Sequence, residues 1–427
     1  MMVLPSVKVD STKARAPSYV ADILLGSLAI LLCLEVFAWI AAIPIALSGR
    51  ADFRQLYAAG YMVRTGQRHL LYDYEAQKRV QDALVTQQEL AMPFIRPAYQ
   101  ALLFVPLSLL SYRSAYFVFL GVNVVFVSIC SWLLRPRMIQ LAAIWRRLPA
   151  ALFLAFFPIS VALMQGQDSI ILLLLLTLAL GAFDRGREGT AGALVGLGLF
   201  KFQIVLPIGL LFLAWRRWRF STGFMLAAAL VAATLVGVAG VGATRAFANS
   251  LLSQGAGLSS AEHPSLPLVV TLMGNLRGLV FGIAGSMVSP FWLQVVTTAL
   301  SGAVFVAVGF SARQNQGNSD VLALAITASA VVSYYLFIHD LTVLLIPLVM
   351  TLERHIMAEP SGDAFGSLVA GVAVLLYVSP ICSLLNPGYF YLVALPLIGF
   401  LFIMMRSFRR GNGESQHYRI PVTPGHP

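Results

Sequence analysis

The sequence predicts an all-α protein that crosses a membrane many times. Composition is the first reason: the 427 residues are 59% hydrophobic and only 11% charged, where a soluble domain carries roughly 25% charged residues. The mean hydropathy of +0.81 is the second. The third is pattern. Apolar runs of about span length recur from one end to the other, and in lipid such runs must be helical because their backbone groups have no water to bond. The formal net charge of +11 would suggest nucleic acid in a soluble domain. Here arginines at the edges of cytoplasmic loops, facing anionic lipid, account for it, and no nucleic-acid partner is expected. Cys33, Cys130 and Cys382 all lie in apolar runs and have neither disulfide nor metal spacing, so they read as small core residues. The first apolar run is too long for a signal sequence and is expected to stay as an anchor.

Basic residues in short loops orient the spans. Lys8, Lys13 and Arg15 place the tail 1–19 inside. Residues 20–47 then exit, and 48–97 form a first outer loop. The next basic cluster, Arg135, Arg137, Arg146 and Arg147, belongs inside. The stretch before it therefore crosses once, through 114–134, and 98–110, with Pro106, is expected to be a half-helix on the outer side. Residues 148–164 exit, Gln165-Gly166-Gln167-Asp168 turns outside, and 169–183 returns to Asp184-Arg185-Gly186-Arg187. Both ends of 190–215 belong inside, so it is expected to be a hairpin of two short helices with its tip at Lys201-Phe202-Gln203. Residues 220–242 exit to a second outer loop, 243–289. Spans follow at 290–313, 320–338, 341–352, 365–385 and 389–405, with His339-Asp340 in an outer turn. The whole makes a transmembrane domain over 20–406, with about twelve crossings and both termini inside. The tail 407–427 is expected to be flexible and cytoplasmic.

The first outer loop carries helical rhythm. Phe53, Leu56, Tyr57, Gly60 and Val63 fall at helical spacing, as do Ala76, Val80, Ala83 and Leu84. Each set predicts an amphipathic helix lying on the membrane surface.

Ionisable groups at membrane depth are costly and usually functional, and here they gather on the outer side. Asp52 heads the first surface helix. It suits either a helix N-terminal carboxylate favoured by the dipole or a general base deprotonating a hydroxyl. Lys201 sits among Leu197, Leu199, Phe200, Phe202, Ile204 and Val205; it either snorkels to an interface or meets a phosphate. Gln165, Gln167 and Asp168 make a polar turn or bind substrate hydroxyls. His339 and Asp340 make an outer turn or contact phosphate or sugar. Arg96 is an interfacial anchor or a ligand contact. Asn275, Arg277 and His263 are weaker candidates. No Asp-x-Asp, paired His or paired Cys stands at metal spacing, and there is no Walker lysine motif, so neither a metal nor another cofactor is expected. Glycines 192–198 read as helix packing.

The order of these pieces resembles glycosyltransferase family 87, the polyprenol-phosphate-mannose-dependent mannosyltransferases of the GT-C superfamily. The resemblance rests on Asp52-Phe53-Arg54-Gln55-Leu56-Tyr57 with Ala58-Ala59-Gly60, Gly66 and Leu71-Tyr72-Asp73. It continues through Phe94-Ile95-Arg96-Pro97-Ala98 with Pro106-Leu107, where the family usually has Tyr-Pro-Pro. Pro158, Gly166-Gln167, Ala191-Gly192 through Gly196-Leu197 to Lys201, and Trp215-Arg216-Arg217-Trp218 complete it. The resemblance implies a GT-C fold with an active site facing the periplasm or exterior of the inner (plasma) membrane. It implies a hexosyltransferase taking a sugar, most often mannose, from a polyprenyl phosphate to a lipid-linked or periplasmic glycan, with inversion. Asp52 would be the base, and Lys201, His339, Gln167, Arg96, Tyr57 and Asp168 would bind substrate. Its partners would be the lipid-linked donor, the glycan or glycolipid acceptor and membrane lipid. The rival is a transporter or flippase of a lipid-linked sugar, which should place paired charges on both sides of an alternating cavity. A third possibility is a scaffold of the same fold that has lost activity.

Overall fold

The computed structural model describes residues 18–255, 269–311, 320–355 and 364–414. Every regular element among them is helical. The α-helices are α1 (Ser18–Ile45), α2 (Phe53–Arg64), α3 (Tyr74–Leu84), α4 (Ala98–Phe104), α5 (Tyr112–Leu134), α6 (Ile139–Ile144), α7 (Leu148–Leu154), α8 (Phe157–Met164), α9 (Ser169–Asp184) and α10 (Glu188–Leu197). After them come α11 (Phe202–Ala214), α12 (Trp218–Gly255), α13 (Leu276–Ala284), α14 (Pro290–Ser311), α15 (Asp320–Val332), α16 (Leu345–His355), α17 (Ala364–Val378), α18 (Cys382–Leu385) and α19 (Ala394–Glu414).

Among the described residues, six helical stretches are long and apolar enough to cross a membrane: Leu25–Arg64, Tyr112–Arg137, Trp218–Asn249, Pro290–Ser311, Phe365–Leu385 and Pro387–Phe408. A seventh is added if the broken pair α10 and α11 is taken as one. Full-length helices therefore do not reach the twelve crossings expected. Much of the remaining apolar sequence forms shorter helices, of which α8, α9 and α15 are mostly buried among their neighbours. The stretch 148–164 is one such case. It breaks between α7 and α8 because Pro158 stands in the first turn of α8 and cannot donate back into α7.

The helices α10 and α11 form the expected hairpin. Their ends away from the turn lie together: Arg217, just before α12, pairs with Glu188 at 2.8 Å, and Phe212 stacks on Phe220 with centroids 3.8 Å apart. The turn between them carries Lys201 to the opposite end, beside Asp168. Helices α10 and α12 run side by side so closely that a Cβ added to Gly192 would collide with the Phe220 carbonyl, and one added to Gly223 with that of Gly189. Small residues permit this approach, as is usual between helices in lipid.

In the first outer loop α3 is amphipathic as expected, burying Ala76, Gln77, Val80 and Gln81. Helix α2 is not a surface helix: Phe53, Arg54, Leu56, Tyr57, Ala58, Ala59, Gly60 and Met62 are all buried. Gly60 explains why, since a Cβ there would stand 2.5 Å from the backbone of Phe104, so α4 lies directly on it. The short helix α4 is the expected half-helix. Helix α12 runs past its expected end to Gly255, across a break at Gly240 (φ 84°). Part of the second outer loop, including His263, lies outside the described residues. Helix α19 continues to Glu414, past the expected start of the tail at 407; residues 415–427 lie outside the described residues.

Candidate active site

Asp52 is placed by a break in the backbone. Gly49, at φ 81°, ends the helical path out of α1, and Ala51 is extended before α2 begins. The Asp52 carboxylate makes no capping bond to its own helix. It instead accepts from Gln167 Nε2. The backbone joins the same two segments, with Phe53 N donating to Gln165 O at 2.9 Å. Gly166 makes that approach possible: it has φ 58°, and a Cβ on it would lie 2.7 Å from the Phe53 Cβ.

Beneath Asp52 lies a network of buried charge. Asp168 is completely buried, accepts from Arg96 Nη1 and Gln100 Nε2, and stands 3.1 Å from Lys201 Nζ. Lys201, also buried, donates to Asp340 Oδ1 at 2.8 Å and to Gln167 Oε1 at 3.3 Å. Asp340 in turn accepts from Ser169 Oγ at 3.2 Å and from Phe337 N at 3.2 Å. His339 Nδ1 lies 3.0 Å from Gln165 Oε1, and its Nε2 is 3.6 Å from Asp340. Gln167 joins the groups by accepting from Arg96 and Lys201 while donating to Asp52.

These segments line a cavity of 560 Å³ that includes Asp52, Gln55, Arg96, Gln167, Lys201 and His339, with Tyr335, Phe337 and Phe390 as aromatic walls. The Lys201 ammonium has three hydrogens, and three protein acceptors surround it. Arg96 has five N–H groups and donates two hydrogen bonds within the network, so it retains donors for a ligand. A second, apolar groove of 490 Å³ runs between α1 and α8, lined by Leu34, Phe37, Ala38, Val161 and Met164 among others. Ile338 and Ser383 line both spaces, so the groove and the cavity are neighbours there.

Of the residues singled out in the sequence, Asp52, Arg96, Gln167, Lys201 and His339 come together on the cavity, with Asp168 directly behind them. Tyr57 does not. It is buried against Phe53 and Tyr112, and its hydroxyl donates to Leu110 O at 2.7 Å. Asn275 and Arg277 also lie off the cavity lining. They tie α13 to the turn after α15, through Ser333 O at 2.6 Å and Tyr334 O at 3.1 Å. Three buried polar residues were not among the candidates: Gln100 in α4, Gln203 in the first turn of α11, and Glu35 in the middle of α1, which accepts from Ser160 Oγ at 2.6 Å. Glu35 had a legible signal, an acid inside a run of span length. It joins α1 to α8 and does not line the cavity.

No curated protein and no solved structure matches the chain. Residues 94–338 match glycosyltransferase family 87; the match takes in Arg96, Gln167, Asp168 and Lys201 and begins after Asp52. It covers more than half of the 427 residues: this helical membrane protein belongs to glycosyltransferase family 87.

Proposed function

We propose that the protein moves a hexose, mannose first among candidates, from a polyprenyl phosphate to a lipid-linked or periplasmic glycan, with Asp52 as general base. One observation carries this reading. The Asp52 carboxylate forgoes the helix end beside it and is held by Gln167 at the edge of a cavity that also contains Arg96 and His339. In the reaction an acceptor hydroxyl oxygen attacks the anomeric carbon as its proton passes to Asp52. The bond from that carbon to the phosphate oxygen breaks, and the polyprenyl phosphate leaves with inversion. The leaving group departs as an anion, so it needs cations and hydrogen-bond donors more than an acid. Arg96, with donors left over, is assigned to the phosphate, with His339 beside it. Lys201 sets the charge balance beneath, and the reading asks for no metal.

The apolar groove supports a lipid-linked donor. It borders the polar cavity at Ile338, next to His339, so a chain lying in the groove would bring its phosphate to the His339 side.

The test is transfer from radiolabelled polyprenyl-phosphate-mannose into membrane glycolipid. A general base contributes roughly 10²–10⁴-fold, so Asp52→Asn is expected to lose at least about 100-fold while still folding and binding donor. Equal transfer by both forms would remove Asp52 from the chemistry.

A further inference from the structure

Most of the buried polar groups around the cavity already serve one another. Gln167 bonds Asp52, Arg96 and Lys201; Gln165 meets His339; Lys201 and Asp340 hold each other. Gln203 is different. It stands in the first turn of α11, two residues beyond Lys201, lines the cavity, and is only 4% exposed. Among the described residues neither its Oε1 nor its Nε2 has a hydrogen-bond partner. A buried amide with both ends unspent is rare in native proteins and asks for an explanation.

Chemistry narrows what it waits for. A phosphate only accepts hydrogen bonds, so it would satisfy Nε2 and leave Oε1 unpaired. An apolar chain would satisfy neither. A sugar hydroxyl both donates and accepts, and two neighbouring hydroxyls satisfy an amide at both ends. The cavity wall suits the same ligand. Tyr335 also lines the cavity, its ring packed against Phe202 and Phe337, at 6.1 and 6.2 Å between centroids, and an aromatic wall suits the apolar C–H side of a sugar ring. Asp52, which must reach the acceptor hydroxyl, is only half-buried, whereas Gln203 is almost wholly buried. We propose that Gln203 binds a pair of adjacent hydroxyls on the transferred hexose and so helps to select which sugar is moved. This deepens the glycosyl-transfer reading above and rests on it.

The experiment compares wild type with Gln203→Leu, using polyprenyl-phosphate-mannose and its 2-, 3-, 4- and 6-deoxy forms as donors, and measures kcat/KM, acceptor KM and the melting temperature without substrate. A site built to hydrogen-bond a hydroxyl discriminates strongly, so Gln203→Leu is expected to lose roughly 100-fold in kcat/KM on the full sugar. On the deoxy donor that lacks the partner hydroxyl, the two proteins should differ less than about 3-fold. Acceptor KM should stay unchanged. Because Leu removes two unpaired buried polar groups, the melting temperature should hold or rise. An equal loss across all donors, or a lower melting temperature, would make Gln203 a structural residue and overturn the assignment. So would a loss confined to acceptor KM, or no loss at all. Wild-type protein that neither binds nor turns over any of these donors would overturn the donor reading and the Gln203 assignment with it.

Discussion

Asp168 governs the electrostatics of the site from a position that substrate does not reach. It is fully buried, bonded to Arg96 and Gln100 and 3.1 Å from Lys201. A carboxylate shared by two cations cannot be removed without stranding both in low dielectric. Asp168→Ala is therefore expected to cost about 3–5 kcal/mol, read as a lower melting temperature in detergent. Lys201→Met combined with Asp340→Asn should cost less than the two single changes added together, because the partners share one interaction. Gly166 is the other sensitive position. Alanine there must adopt φ 58° and press on Phe53 at 2.7 Å, which should cost about 1–3 kcal/mol and reduce transfer by displacing Asp52, with no substrate contact touched. Which residues meet at the cavity was largely legible, because each is an ionisable or amide group in a place where lipid tolerates few. What each one does there was not. The partners of Lys201 lie 33 and 139 positions away in the chain, at Asp168 and Asp340, and spacing along a sequence does not reveal them. Gln203 was hidden for the opposite reason: a neutral amide at a helix start raises no alarm until its lack of partners is known.

At the scale of elements, the short pieces make the site. Long helices such as α5 and α12 frame it, while the ends of the shorter α4, α8, α9 and the α10–α11 hairpin meet and deliver Arg96, Gln165, Asp168 and Lys201. The hairpin and the longest spans could be predicted from apolar length and the placement of arginines, but the expected twelve crossings could not be recovered from them, since six helices, or seven with the bent pair, have span length among the described residues. The break between α7 and α8 follows from Pro158 and could also have been read. The burial of α2 could not, because its cause is α4 packed on Gly60. Arg54 clasps α2 to α3 and the chain after it: it is buried and donates to Asp82 at 2.7 Å and to Thr86 O at 2.8 Å. Asp82 lies outside the spans. Burial pushes its carboxyl up, but bonds from Lys78 and the Gln88 N–H, with the charges of Lys78 and Arg54, outweigh this and hold it below the usual carboxylate range. A depressed folded pKa stabilises above the unfolded value and is lost as pH falls through the folded one. The melting temperature of wild type should therefore drop as pH is lowered from about 4, and Asp82→Asn should lie lower at neutral pH and show a shallower acid decline. Parallel acid curves for the two proteins would remove Asp82 from the clasp.

The whole molecule has two charged ends of different kinds. At one, Asp52, Arg96, Lys201 and Asp340 line a cavity, with Asp168 behind them. At the other, ion pairs join successive loops: Arg137 with Asp184, Arg217 with Glu188 at 2.8 Å, and Arg354 with Asp320, while Glu353 accepts from Gln140 N at 2.6 Å. Helix α9 connects the two, from Asp168 to Asp184; its 16 residues reach about 24 Å, most of a bilayer core of about 30 Å. The loops that the arginine pattern assigned to the inside are thus the ones the fold brings together, and the catalytic candidates share the opposite end. A transporter needs access from both sides; a transferase drawing donor and acceptor from one leaflet does not. The arrangement makes an orientation prediction. In a background with Cys33, Cys130 and Cys382 changed to alanine, Arg68→Cys and Arg187→Cys place thiols on exposed residues in the first outer loop and in the turn after α9. A membrane-impermeant maleimide should label only Arg68→Cys in intact cells and only Arg187→Cys in inverted vesicles. The reverse pattern would turn the site toward the cytoplasm and rule out a periplasmic acceptor. Labelling of both from one side would mean that α9 and its neighbours do not cross the membrane at all.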